Sequence, residues 1–161
     1  MRRLLVSVLL CVAVALAVPA TGLSFSTTIT ARAQGTGSAQ RAGSAPTDAY
    51  IICSMYPAYT LVHSGVAFSG ETNCGGFPMA ALYGKASIVN TASGNQASCN
   101  LCTDVKSSGS ATLVAGFPYT FRYETTLQIP SGWKWDIVPP GCVRATFYVL
   151  SCTFNYNFTA I

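Results

Sequence analysis

The residues whose types and spacing could do chemistry in this sequence are first of all its cysteines. Cys99 and Cys102 stand three apart in SCNLCTD, residues 98–104. That spacing suits half of a zinc site, a redox-active dithiol or part of a disulfide framework. A structural zinc site needs further Cys or His ligands, yet His63 is the only histidine and no second Cys-x-x-Cys exists. Recruiting Cys142 or Cys152 would strand a thiol. A thioredoxin-like dithiol opens a helix beside a βαβ unit, and nothing helical follows Cys102. The disulfide reading is preferred. With Cys11 inside a leader, six cysteines remain, an even set that suits an oxidising compartment. The expected pairs are the local ones that close short loops: Cys53 with Cys74, Cys99 with Cys102, and Cys142 with Cys152.

Hydrolytic chemistry has few candidates. A Ser-His-Asp arrangement would have to use His63 in LVHSG, where no Gly-x-Ser-x-Gly elbow and no orienting carboxylate stands out. Glu71 and Glu124 are the candidate carboxylate pair for a glycosidase-type reaction. Each reads equally as a solvated surface charge, and an enzyme is not expected. No Asp-x-Asp cluster suggests calcium, and no cofactor is called for. Binding has better candidates. Trp133 and Trp135 in GWKWD share one face of a strand, with Lys134 and Asp136 on the other. Exposed, such rings could stack on a sugar or anchor a protein interface; inward, they fill the core. Eight Phe and eight Tyr add to the supply of rings, so an exposed aromatic patch is expected.

The elements that must position these residues begin after a leader. Arg2 and Arg3 precede the apolar run Leu4–Val18, the layout of a secretory signal peptide. The run is shorter than the roughly 20 residues of a membrane span, so no span is expected in the mature chain. Cleavage fits after Ala20 or after Ala33, and the second is preferred for its small-x-small ARA. Residues 1–33 are thus read as leader, 34–46 (QGTGSAQRAGSAP) as a flexible linker, and 47–161 as one domain. Losing the leader lowers nine basic residues to six against five acidic ones. With no Lys/Arg cluster left, a nucleic-acid partner is excluded.

The domain reads as β throughout. In YTFRYETTLQI (119–129), Tyr119, Phe121, Tyr123, Leu127 and Ile129 fall on one face and Thr120, Arg122, Glu124, Thr126 and Gln128 on the other. Such alternation marks a half-buried strand. The C-terminal segment repeats it, with Tyr148, Leu150, Cys152, Phe154, Tyr156 and Phe158 on the inner face. Segments 49–56 and 59–70 are similar, and 79–90 reads as one strand or two with a bulge at Gly84. Turn residues at this spacing predict an all-β, antiparallel sandwich of about seven strands.

The stretch TLQIPSGWKWDIVPPGCVRATFYVLSCTFNY (126–156) resembles the immunoglobulin-like β-sandwich modules of bacterial secreted and surface proteins. The carriers are Pro130-Ser131-Gly132-Trp133, then Pro140-Gly141-Cys142, then Cys152 in an aromatic strand. The resemblance implies an immunoglobulin-like fold and no catalytic residue. The expectation for function is a secreted, non-enzymatic binding or structural role toward a protein or carbohydrate surface ligand. The alternatives are an inhibitor or toxin-like effector presenting a rigid loop such as GGFPM (75–79) or IVPPG (137–141), and last a small hydrolase.

Overall fold

The computed structural model describes residues 22–35 and 49–161. They form twelve strands in chain order: β1 Ser24–Ser26, β2 Ile29–Gly35, β3 Tyr50–Val62, β4 Gly65–Gly75, β5 Met79–Ile88, β6 Ala92–Ser93, β7 Ala97–Cys102, β8 Asp104–Thr112, β9 Pro118–Gln128, β10 Trp133–Ile137, β11 Cys142–Arg144 and β12 Val149–Thr159. Two six-stranded antiparallel sheets result. The first runs β10-β2-β3-β4-β8 with β1 also on β3, and the second runs β11-β12-β9-β5-β6 with β7 also on β5. The all-β, two-sheet expectation matches. The strand count does not, because short strands at 24–26, 92–93 and 142–144 lie below what sequence periodicity resolves.

Alternation places the core between the sheets. Ile51, Cys53 and Met55 from β3 and Val66 and Phe68 from β4 point inward, toward Phe121, Tyr123 and Leu127 of β9 and Leu150 and Cys152 of β12. Aromatic rings cross the gap: Tyr59 meets Phe121 at 5.6 Å and Phe158 at 4.8 Å, and Phe25 meets Tyr156 at 4.5 Å. Thr125 interrupts the apolar face of β9 and is buried nonetheless. Its hydroxyl donates to the Tyr83 carbonyl at 2.7 Å and lies 3.1 Å from that of Thr72, which is 2.7 Å from the Tyr123 phenol. This hydroxyl cluster lets polar atoms sit between the sheets without the penalty of unpaired burial.

The largest departure from expectation is at the start of the described residues. The boundary expected after Ala33 runs through β2, which lies between β3 and β10 in the first sheet. Ala31 and Ala33 are wholly buried. Small residues two apart serve a leader-processing motif and the inner face of a packed strand equally well, and here they do the second. Gln34 and Gly35, expected in the linker, also belong to β2. The leader run 4–18, the alternative cleavage site after Ala20, and linker residues 36–46 lie outside the described residues. β1 and β2 are separated opposite Pro57, a proline inside β3 that has no N–H to offer a neighbour. The Thr27 N–H instead donates to the Pro57 carbonyl at 3.3 Å.

The cysteines are joined as Cys53–Cys74, Cys99–Cys102 and Cys142–Cys152. Cys53 lies directly opposite Cys74 in the β3–β4 ladder, and Cys142 opposite Cys152 in β11–β12. Both bonds therefore staple neighbouring strands of one sheet, whereas the conserved antibody-domain disulfide links two sheets. Although VRATFYVLS has no Gly or Asn at its middle, the hairpin forms. The Thr146 hydroxyl accepts from the Tyr148 and Val149 N–H groups at 3.3 and 3.1 Å, doing the work of a turn residue.

Candidate functional site

The predicted candidates do not converge. Trp133 and Trp135 share one face of β10 as expected, and that face is the inner one: they are 1% and 4% exposed. The pair therefore offers no stacking platform to a ligand; it closes the core beside β2. Trp135 Nε1 donates to the Tyr148 carbonyl at 3.3 Å, whereas Trp133 Nε1 has no hydrogen-bond partner among the described residues. Phe77 leans on Trp133 with ring centroids 5.7 Å apart.

Glu71 and Glu124 lie on the outer faces of different sheets. Glu71 pairs across the ladder with Lys106, at 3.8 Å, and Glu124 stands opposite Lys85 on β5. With the whole sandwich between them, they cannot act as a carboxylate pair on one bond. His63 sits in the turn between β3 and β4, exposed, away from both. Among the described residues no group of three or more His, Cys, Asp or Glu side chains could hold a metal. Cys99 and Cys102, the source of the zinc and redox readings, are bonded to each other at the end of β7, with exposed Leu101 between them.

The two candidate loops leave the first sheet from a single row. Ile137 pairs with Arg32, Arg32 with Ile52, and Ile52 with Gly75, so IVPPG and GGFPM start from one row, on β10 and β4 with β2 and β3 between them. Within that row Arg32 donates twice to the Asp136 carboxylate, at 2.6 and 3.0 Å, and lies 4.6 Å over the Tyr50 ring. The hydrogen bond to Asp136 holds the guanidinium further into its charged range.

The richest polar concavity is on the outer face of the second sheet. A groove of about 350 Å³ is lined by Lys85 and Ser87 of β5, residues 89–93 of the following turn and β6, and Arg122 and Glu124 of β9. The strand ladders build it: Lys85 faces Glu124 and Ser87 faces Arg122. The turn is made by Asn90 at a φ of 59°, a conformation Asn tolerates better than most residues. The Thr91 N–H closes it on the Ile88 carbonyl at 3.0 Å. From the other side β12 supplies amides. Arg122 Nε donates to Asn155 Oδ1 at 2.9 Å, and the Thr120 hydroxyl donates to Asn157 Oδ1 at 2.8 Å. A second shallow depression, lined by Val89, Asn90, Pro118, Tyr119, Thr120 and Asn157, continues the strip. Clamping Nε fixes the plane of the guanidinium of Arg122, which lines the groove. Cations, amides and a carboxylate in one shallow strip can exchange hydrogen bonds with a polyhydroxylated or carboxylated ligand.

The polar face of β9 was visible in its sequence alternation. Its partners Lys85, Asn155 and Asn157 were not, since nothing local says which strands flank β9. No family model matches the chain, and neither a curated protein nor a solved structure is found similar to it.

Proposed function

We propose that this protein is exported, stapled by its disulfides, and works without catalysis by binding a polar surface ligand, a carbohydrate being the best match. The observation that carries this reading is the strip of Lys85, Arg122, Glu124, Asn155 and Asn157 on the outer face of β5, β9 and β12. Three disulfides support an oxidising destination, where thiols do not stay reduced. The dispersal of His63, Glu71 and Glu124 over separate surfaces supports binding over hydrolysis. Kinship with immunoglobulin-like surface modules belongs to the same proposal, supported by the two packed antiparallel sheets.

The test is retention of the purified protein on insoluble cellulose, chitin and peptidoglycan, with Arg122→Ala beside the wild type. Hydrogen bonds to a charged group contribute about 1.5–3 kcal/mol, so the variant should bind roughly tenfold or more weakly to whichever polymer retains the wild type. Equal retention of the variant, or no retention of the wild type on any of the three, would remove the strip as the ligand face.

A further inference from the structure

The three disulfides are not alike: Cys99–Cys102 differs from the other two in burial, in backbone and in its place in the fold. Cys53, Cys74, Cys142 and Cys152 are at most 9% exposed. Cys99 and Cys102 are partly exposed, and Ser98, Asn100, Leu101, Thr103 and Asp104 around them all lie at the surface. An attacking thiolate needs that access.

The backbone adds a second distinction. Cys53 faces Cys74 and Cys142 faces Cys152 across ladders, each pair with Cα atoms 4.0 Å apart. The ladder hydrogen bonds keep those sulfurs face to face after reduction, so the bonds re-form readily. Cys99 and Cys102 instead lie on one strand, where an extended chain would put residues three apart about 10 Å from each other. Their Cα atoms are 6.1 Å apart, and the chain between them bends through Leu101 at a φ of 53°. Ser64, Asn90 and Leu101 are the non-glycine residues of positive φ among the described residues. Only Leu101 is branched and apolar, with no polar side chain to favour that conformation locally. At 78% exposure it gains no packing in return. The disulfide thus holds a turn that its own residues disfavour.

The place in the fold makes an opening local. β7 pairs with β5 in the second sheet and β8 with β4 in the first, with Thr103 alone between them. The Cys74 N–H donates to the Thr103 carbonyl at 2.6 Å, and Asp104 stands opposite Asn73, so the start of β8 stays anchored when the end of β7 is released. We infer that Cys99–Cys102 is a thiol–disulfide exchange site at this corner between the sheets, taking a dithiol as its reductant. One thiolate of the dithiol attacks one of the two sulfurs; the Cys99–Cys102 bond breaks and the other cysteine leaves as a thiolate. The second thiolate of the dithiol then closes on the first and releases the remaining cysteine. Two electrons and two protons pass to the protein, and the dithiol ends as a disulfide. Reduction lets the end of β7 straighten, while the two buried staples and the polar strip are untouched.

The experiment equilibrates the folded protein in dithiothreitol buffers of graded reduced-to-oxidised ratio, blocks free thiols with N-ethylmaleimide and locates them by peptide mass. Cys99 and Cys102 should be labelled together at a ratio roughly tenfold or more below that needed for the other four cysteines, given the backbone cost that opening relieves. The fluorescence of the buried Trp133 and Trp135 should be unchanged at that ratio. Leu101→Asn puts a residue that tolerates the left-handed conformation on the same exposed turn, so its disulfide should need a ratio roughly threefold or more above the wild type's. Opening of all three bonds at one ratio, opening of Cys99–Cys102 last, or a fluorescence change accompanying its first labelling overturns the proposal. An unshifted ratio in Leu101→Asn overturns it too, because the turn would then store nothing for exchange to release.

Discussion

Gly70 is the position at which the packing of the two sheets is most sharply tested. A Cβ on Gly70 would lie 2.0, 2.2 and 2.6 Å from the Cδ2, Cε2 and Cγ atoms of Tyr123, against ordinary carbon contacts of about 3.5–4.0 Å. The ring cannot swing clear. It is wholly buried and its hydroxyl is held 2.7 Å from Thr72. Overpacking a tight core costs about 1–3 kcal/mol and occasionally more, and overlap with the near side of a clamped ring belongs at the top of that range. Gly70→Ala should therefore destabilise by about 3 kcal/mol, read as a lower midpoint in guanidinium unfolding of the oxidised protein. Tyr123→Ala alone should cost about 3–5 kcal/mol through the cavity it leaves. In the double variant the added methyl enters vacated space, so the two costs should fall short of additivity by about 2 kcal/mol. A cost below about 0.5 kcal/mol for Gly70→Ala, or strict additivity, would refute the packing of Tyr123 against β4.

Two further outcomes follow from the same core and its staples. Burial raises the Tyr123 phenol above its ordinary value, with the hydrogen bonds from Thr72 and Thr125 acting the other way. The fold therefore favours the neutral phenol; its contribution is complete below the unfolded value of about 10 and is lost as pH rises through the folded one. Stability should fall steeply above about pH 10, and Tyr123→Phe should flatten that fall while costing about 1 kcal/mol near neutrality, both measured by denaturant titration across pH. Removing the Cys53–Cys74 or the Cys142–Cys152 pair as a double Ala variant should cost about 3 kcal/mol each, and the three-residue Cys99–Cys102 loop distinctly less, by the loop-entropy argument. Thermal unfolding of the three double variants compares them directly.

Much of this architecture is legible where one residue type holds one face. β9 and the Leu150–Phe158 face of β12 follow from alternation alone, and the single polar inner residue, Thr125, needs the tertiary hydroxyl cluster to explain it. The β2 strand also alternates, with Ile29, Ala31, Ala33 and Gly35 inward and Thr30, Arg32 and Gln34 outward, yet its small residues read first as a processing motif. That Trp133 and Trp135 share a face is a property of strand period; which face is buried depends on β2 lying beside β10 and cannot be found locally. The MAALYGKA segment has helical propensity but becomes β5, because β9 on one side and β6 and β7 on the other require a strand there. The polar strip is half legible for the same reason: β9 declares its polar residues, while the choice of β5 and β12 as neighbours is a long-range decision.

The central claim is that the folded domain includes β1 and β2 and carries three disulfides, and intact mass tests it most directly. The protein recovered from the medium should begin no later than Gly22, resist alkylation when native, and take up six alkyl groups after reduction. A chain beginning at Gln34 would lack Ala31 and Ala33 from the core and leave β10 without its partner in the first sheet. That mass on a folded protein, or free thiols in the native state, would contradict the account.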